Sequence, residues 1–595
     1  MLSLIQPFSS HCRPSSNSEG HGLARKDRRF RPVGTTLAFF RRSAILLLLF
    51  FFAVAPLAAE EVRITIAATT DTHANIWPLD YYRNQPANRG LAKAFTIIQS
   101  IRAQNPNTLL VDCGDTIQGT PLGYYFSRRD LERPNPVVLV MNRMGYDAMA
   151  VGNHEFNFGL KALWKAKKES RFPWLSANTR GVYADPVRAF PPYLVKEVAG
   201  VRVGILGLTT PGIPRWELPQ HYTGYKFQGI VSTARKFVSI LRNRERADVV
   251  ILIVHSGLDR DTETGQIHPG QVPGENAVWE LAHSIPGIDA IIFGHTHQEV
   301  EGRFVKGVLL TQPKNWAQSV AQVDLSLSRR DGRWKVEAKQ SKVIRVTDEV
   351  VADPEILVMT REHEEATQKY LETPIARVDK TLSAQNARYE DNPLVDLILK
   401  AEMEYGKADV ALASVFNPAA KIPAGPVTVR QIASLYFYEN TLYTVEMTGK
   451  ALKLALEHAA EYFQGWPVAP GTPLTSGKLF GYNYDMAEGV SYKIDLRRPP
   501  GSRIVDLKFH DQPLQPQQKL RLAVNSYRYA GGGQYTMLRH APILFQSAVE
   551  VRDLLIDFVT RNGTLPTKPT GNWEIIPPEA REALVQSVAS GDGAR

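Results

Sequence analysis

Residues 62–73 read VRITIAATTDTH. A run of β-branched and small apolar residues stops at a polar cluster, and Asp71 and His73, two positions apart on an extended segment, project to one side. The same form recurs along the chain. Leu110-Val111 runs into Asp112-Cys113-Gly114-Asp115, and Ala150-Val151 into Gly152-Asn153-His154-Glu155. Ile253-Val254 leads to His255-Ser256-Gly257, and Ile292-Phe293 to Gly294-His295-Thr296-His297. The pattern predicts short buried strands over 62–67, 108–111, 201–206, 249–254 and 289–293, with helical periodicity between them over 91–103 and 234–242. Strand alternating with helix predicts an α/β layered domain. In such sheets ligands bind beyond the C-terminal strand ends, which is where these polar clusters fall, and the neighbouring glycines allow tight turns and close backbone approach.

Composition narrows the chemistry. The chain has 595 residues, 44% apolar and 22% charged, which predicts several domains with cores of their own and excludes collagenous or disordered classes. Its two cysteines, Cys12 and Cys113, exclude a disulfide scaffold and a Cys-rich zinc or iron–sulfur site. Any metal site must therefore use His, Asp and Asn, and Cys113 reads as a small packed side chain. The formal charge of +10 raises the question of nucleic acid, but residues 1–59 hold eight Arg and Lys against Glu19 and Asp27. The remainder shows no dense basic stripe, so no polynucleotide partner is expected.

The leader has its own logic. Arg41-Arg42 precede AILLLLFFFAVA at 44–55, then Pro56-Leu57-Ala58-Ala59. Basic, apolar and small residues in that order predict a secretory signal peptide cleaved near Ala58 or Ala59, with an uncleaved anchor as the alternative, although the apolar run is shorter than the ~20 residues that span a bilayer. The expected product is periplasmic or secreted, monomeric, and without stable membrane insertion after cleavage. The expected divisions are a leader at 1–59, a catalytic domain at 60–345, a linker at 346–373 read as one charged helix over 355–371, a second α/β domain at 374–577, and a fraying tail at 578–595.

The five clusters resemble, in order, the D-x-H, G-D, G-N-H-E, H and G-H-x-H blocks of the calcineurin-like dinuclear metallophosphatases. Five of the fourteen histidines fall inside them. The resemblance implies an N-terminal layered αββα domain and a C-terminal α/β domain of the 5′-nucleotidase type. It also implies two divalent cations, with Asp71, His73, Asp115 and His297 holding one and Asp115, Asn153, His255 and His295 the other, Asp115 bridging. Paired cations neutralise phosphoryl oxygens and acidify an attacking water, and an N/O donor set without thiolate suits Zn, Mn, Co or Fe. In the family the histidine at His154 faces the phosphate as general acid or charge stabiliser. Its usual partner in the 5′-nucleotidases is an Asp, and Asn157 stands there instead, which removes a term favouring imidazolium. Seven other histidines, His221 among them, read as packing or surface residues.

The resemblance continues into the second half. The segments 80–82, 153–159, 438–442, 481–489 and 525–533 are similar to the cyclic-nucleotide phosphodiesterase/3′-nucleotidase branch of the 5′-nucleotidase superfamily. That implies a small-molecule nucleotide substrate: a 2′,3′-cyclic nucleotide opened to the 3′-nucleotide, which is then dephosphorylated. A 5′-nucleotidase or a broader phosphomonoesterase are the alternatives. By position Tyr438 and Tyr527 would sandwich the base, with Asn440 beside the base or ribose, and Gly531-Gly532-Gly533 would form a flexible turn next to them. Tyr436, Tyr529 and Tyr535 are the neighbouring tyrosines with which that pair could be confused.

Overall fold

The computed structural model describes residues 60–182, 188–268, 274–438, 440–469 and 471–589. The expected leader and its expected cleavage site lie outside the described residues. In the N-terminal half the strands of the two main sheets are β1 (Glu61–Thr69), β2 (Thr108–Asp112), β3 (Ala148–Ala150), β4 (Trp174–Leu175), β5 (Tyr193–Val198), β6 (Val201–Thr209), β7 (Val249–His255), β8 (Ala290–Phe293), β9 (Val300–Val305), β10 (Val308–Gln312), β11 (Ser319–Arg330) and β12 (Arg333–Arg345). They form two six-stranded sheets, ordered β12-β11-β1-β2-β3-β4 and β9-β10-β8-β7-β6-β5. Strands β1 to β4 run parallel, with Thr69 opposite Asp112. Strands β6, β7, β8 and β10 also run parallel, with His255 opposite Thr209 and Val254 opposite Phe293.

The two sheets face each other across one apolar layer, in which Ile64, Ile66, Ala68 and Val111 meet Ile205, Ile251, Ile253 and Ile292. On the outer face of the second sheet, Leu206, Leu208, Val250 and Leu252 pack under the helices Ile230–Ser239 and Val278–Ser284. Ala67 and Leu110 do the same for the first sheet under Leu91–Gln104 and Pro136–Met144. The architecture is therefore αββα. Central strands covered on both faces need unbroken apolar runs, which is why β7 reads VVILIVH without alternation.

Two local expectations differ from what is found. Residues 355–371 make two helices, Pro354–Met359 and Arg361–Leu371, interrupted at Thr360. Thr360 is fully buried, and its hydroxyl donates to Ile356 O at 2.7 Å and accepts the Trp77 indole N–H at 3.0 Å. That arrangement favours local side-chain bonding over helix continuity. The tail does not fray up to Ala589: Pro578–Ala589 is a helix whose Ala580 and Leu584, one turn apart, are buried.

The C-terminal half has a five-stranded sheet of β13 (Val410–Ser414), β14 (Thr441–Thr448), β15 (Asp485–Glu488), β16 (Lys519–Asn525) and β17 (Ile543–Glu550), ordered β15-β13-β16-β14-β17. Helices Pro393–Gly406 and Gly449–Ala459 bury Leu394, Leu397, Ile398, Leu452 and Leu456 in its core. The segment Asp80-Tyr81-Tyr82 ties the two halves together. The Tyr81 hydroxyl donates to Glu364, Arg430 donates to the Tyr81 carbonyl, and Arg552 Nη1 donates to the Tyr82 hydroxyl at 2.7 Å.

Candidate functional site

Because the central strands of each sheet are parallel and the sheets are stacked, their C-terminal ends meet along one edge. The polar clusters are gathered there in two groups. Donor atoms of Asp71, His73 and His297 all lie within 4.8 Å of one another, and so do those of Asp115, His255 and His295. Each group draws on both sheets. The groups adjoin at Asp115, whose Oδ2 is 3.0 Å from His255 Nε2 and 3.9 Å from His73 Nε2. His73 Nε2 faces His297 Nε2 at 3.0 Å, and His297 Nε2 is 3.4 Å from Asp71 Oδ1. Asn153 Oδ1 is 3.0 Å from His255 Nε2, which brings it into the second group.

The backbone is bent hard to achieve this. Asp71, His73, Asp115, His295 and His297 all have positive φ, from 46° to 75°. Residues other than glycine rarely adopt that region, and such strain collects at functional sites where the surrounding structure enforces it. Glycines clear the way between the turns. A Cβ on Gly294 would stand 2.5 Å from Asp71 Oδ2, and one on Gly152 would stand 2.2 Å from Asp115 Oδ1.

Outer contacts fix the ring orientations. His73 Nδ1 bonds to the Gln118 carbonyl at 2.9 Å and His255 Nδ1 to the Cys113 carbonyl at 2.8 Å, leaving each Nε2 turned into the site. Thr70 Oγ1 donates to Asp71 Oδ2 at 2.6 Å. Glu155, fully buried, accepts the backbone N–H groups of Gly152, Asp115 and Thr116 and so locks two of the turns together. Glu275 Oε1 lies 3.2 Å from His295 Nε2, and Trp216 packs on the same ring at 5.5 Å.

Burial and charge oppose each other here. Burial alone would raise the carboxyl of Asp115, but the rings of His255, His154 and His73 hold it well below its ordinary value. Burial would lower His255, and the same Asp115 carboxylate instead pushes it up to about 10. His73, pressed by burial and then by its neighbours His297 and His154, falls to about 4. A set of imidazole, carboxylate and amide donors converging at these distances fits divalent ions of the Zn, Mn, Co or Fe type.

His154 stands at the edge of the groups, its Nε2 3.8 Å from Asp115 Oδ2 and its backbone N–H donated to Asp115 Oδ1 at 2.8 Å. Its Nδ1 meets Asn157 Oδ1, and Asn157 Nδ2 donates to Glu217. The carboxylate expected to be missing beside His154 is therefore present one residue further out. Despite burial, Asp115, the Asn157 hydrogen bond and Glu217 raise His154 above its usual pKa. His221, given no role by the sequence, sits on the other oxygen of Glu217 at 2.8 Å.

In the C-terminal half, Tyr438 and Tyr527 are 37% and 44% exposed, whereas Tyr436 and Tyr535 are buried and Tyr529 is stacked on Tyr443 at 4.7 Å. Tyr482 joins the exposed pair. Burial, followed by the hydroxyls of Tyr482 and Tyr527, raises the Tyr438 phenol. Tyr527 lies flat against Gly532, where a Cβ would come within 2.4 Å of its ring, so the glycine turn seats that ring. Asn440 is half-buried, its amide 3.4 Å from the Tyr436 hydroxyl.

Glu217, Glu275, Trp216 and His221 carried no sequence signal, since their spacing to the site residues follows no local period. Glu155 and Tyr482 lay within segments already notable, next to His154 and inside 481–489.

The chain is similar to known proteins along most of its length. The family model for calcineurin-like phosphoesterases matches residues 64–299, and that for the 5′-nucleotidase C-terminal domain matches residues 365–540. The chain is 29% identical to a 2′,3′-cyclic-nucleotide 2′-phosphodiesterase/3′-nucleotidase of Haemophilus influenzae, over 88% of this chain and 89% of that one. It is 30% identical to the trifunctional nucleotide phosphoesterase protein YfkN of Bacillus subtilis over 87% of this chain, and spans only 39% of that longer protein. Among solved structures, a putative 5′-nucleotidase from Staphylococcus aureus, in complex with alpha-ketoglutarate, superposes with a TM-score of 0.72 at 28% identity, covering 86% of this chain and all of that one. The chain is thus a metal-dependent phosphoester hydrolase, and it belongs to the calcineurin-like metallophosphoesterases that carry a 5′-nucleotidase C-terminal domain.

Proposed function

We propose that the protein is an exported dinuclear-metal hydrolase that opens 2′,3′-cyclic nucleotides to 3′-nucleotides and then dephosphorylates them. The observation that carries this is Asp115, set between His73 and His255 so that one carboxylate adjoins both donor groups. Asp71, His73, Asp115 and His297 would hold one cation, and Asp115, Asn153, His255 and His295 the other. When bound, the pair supplies positive charge that neutralises the phosphoryl oxygens.

The remaining work falls to side chains. The hydrogen bond at Nδ1 orients His154 so that Nε2 faces the phosphoryl position, where it donates a proton to the departing ribose oxygen. In the first reaction the oxygen of water bonds to phosphorus as the P–O2′ bond breaks. In the second a further water oxygen bonds to phosphorus as the P–O3′ bond breaks, releasing nucleoside and phosphate. Tyr438 and Tyr527 offer exposed ring faces on which a base would stack whatever its identity, and Asn440 would contact the base or ribose.

Export is supported by the order of residues 41–59, and no helix among the described residues is long and apolar enough to cross a membrane. The likeness to the Staphylococcus aureus putative 5′-nucleotidase favours a second reading, hydrolysis of 5′-nucleotides. Initial rates on 2′,3′-cyclic AMP, 3′-AMP, 5′-AMP and bis(p-nitrophenyl) phosphate separate the two. The first reading expects the cyclic and 3′ substrates to lead in kcat/KM. A lead for 5′-AMP overturns it in favour of the second, and equal rates on p-nitrophenyl phosphate, a nucleoside-free phosphomonoester run beside them, would leave only a general phosphatase.

A further inference from the structure

The segment 210–222, which follows the end of β6, lies outside every block that defines the metal site, yet it reaches the site three times. Trp216 packs on His295, and Arg215 approaches Glu275, itself on His295, at 3.8 Å. The third contact is the chain from His154 through Asn157 to Glu217 and on to His221. Glu217 is buried, 6% exposed.

The chemistry of that chain is directional. An amide has one end that only donates and one that only accepts. A carboxylate only accepts, so Glu217 compels Asn157 to present Nδ2 toward it and Oδ1 toward His154. His154 Nδ1 must then carry hydrogen, and its Nε2 is the atom left for the substrate. Without Glu217 nothing described on that side distinguishes the two ends of the amide, and a flipped amide would place N–H against N–H and turn the ring away. His221 Nδ1, on the second oxygen of Glu217, keeps the carboxylate in place.

We propose that Glu217 is a positioning residue for His154, and that residues 157 and 217 form one exchangeable unit in which Asn with Glu does what Asp with Gln would do. An Asp at 157 accepts directly from His154 but meets Glu217 with no hydrogen between the two carboxylates. A Gln at 217 supplies that hydrogen. The proposal rests on the reading that His154 acts on the phosphoryl group.

The test is steady-state kinetics of the metal-loaded full chain on whichever of 2′,3′-cyclic AMP, 3′-AMP and 5′-AMP it turns over fastest, each with a ribose alkoxide leaving group that needs a proton, and with metal content measured for every variant. Glu217→Ala should lower kcat about 10-fold, the lower end for loss of an outer contact that orients a histidine, with KM and bound metal unchanged. Asn157→Asp should also lower kcat, and Asn157→Asp combined with Glu217→Gln should recover to within about 3-fold of the parent, a strong departure from additivity. In a His154→Ala background, Glu217→Ala should have no further effect. If Glu217→Ala costs the same factor with and without His154, or the double variant shows the product of its single losses, Glu217 only supports the fold and the proposal is wrong. If His154→Ala alone leaves kcat intact, the reading of His154 fails and takes this proposal with it. Taking the fastest of the three nucleotides means that an error about nucleotide preference changes none of these results.

Discussion

The ring of Tyr82, in the N-terminal half, lies 6.5 Å centre to centre from the ring of Phe437, the residue before Tyr438. The catalytic half therefore braces the loop that presents an exposed aromatic face of the other half. Aromatic pairs are worth about 0.5–1.5 kcal/mol beyond their buried area, so Tyr82→Ala should lower kcat/KM for nucleotides by about 2- to 10-fold. Hydrolysis of bis(p-nitrophenyl) phosphate should hardly change, and an equal loss on both substrates would show that Tyr82 acts on the fold at large.

Removing the stacking faces themselves should do more. A base on an aromatic ring contributes ~1–3 kcal/mol, so Tyr438→Ala or Tyr527→Ala should cost about 10- to 100-fold in kcat/KM for adenine and guanine nucleotides. Pyrimidines should lose somewhat less. The comparison of purine, pyrimidine and aryl substrates for each variant is the measurement.

Asp115→Asn should remove more activity than either His295→Ala or His297→Ala, because Asp115 adjoins both donor groups while each histidine belongs to one. Elemental analysis should find both cations depleted in the first variant and about one retained in each of the others, a partial site rather than none. Full turnover by chelator-treated protein would rule out the dinuclear reading.

Stability should carry its own pH signature, away from the metals. Burial, and then the neighbouring Asp391, push the carboxyl of Asp396 up to about 7 from an ordinary value of 3.8. The folded state thus holds this proton more tightly than the unfolded chain does. The resulting stabilisation is complete below pH ~4 and is lost as pH rises through ~7. In Asp396→Asn that loss disappears. The Tm of the variant minus that of the parent should become more positive between pH 4 and 8, and a flat difference would show that Asp396 titrates normally.

Much of the N-terminal half was legible because its information is contiguous. Each strand of β1, β2, β3, β7 and β8 runs directly into the polar residues it delivers, so apolar run and site residue are read together. The connections that orient those residues are different in kind. Asn157 meets Glu217 across 60 positions and Thr360 meets Trp77 across 283, and neither separation has a period. Hence the position of Asn157 read as a lost carboxylate when the carboxylate had moved to another element, and the 355–371 helix read as continuous when a buried threonine interrupts it. The helix Pro578–Ala589 was obscured by the Ser, Gly and Asp residues that follow it.

Asp71 and His73 are two residues apart, but the third donor of their group, His297, follows 224 positions after His73 at the end of a strand in the opposite sheet. Asp115 and His255 are likewise split between the two sheets. On the proposed two-cation reading an unfolded chain holds no good binding site, and the ions would be captured only once both sheets have formed and stacked. Metal uptake is then among the last events in maturation, and the ion acquired is drawn from whatever surroundings the chain finishes folding in rather than those in which it is synthesised.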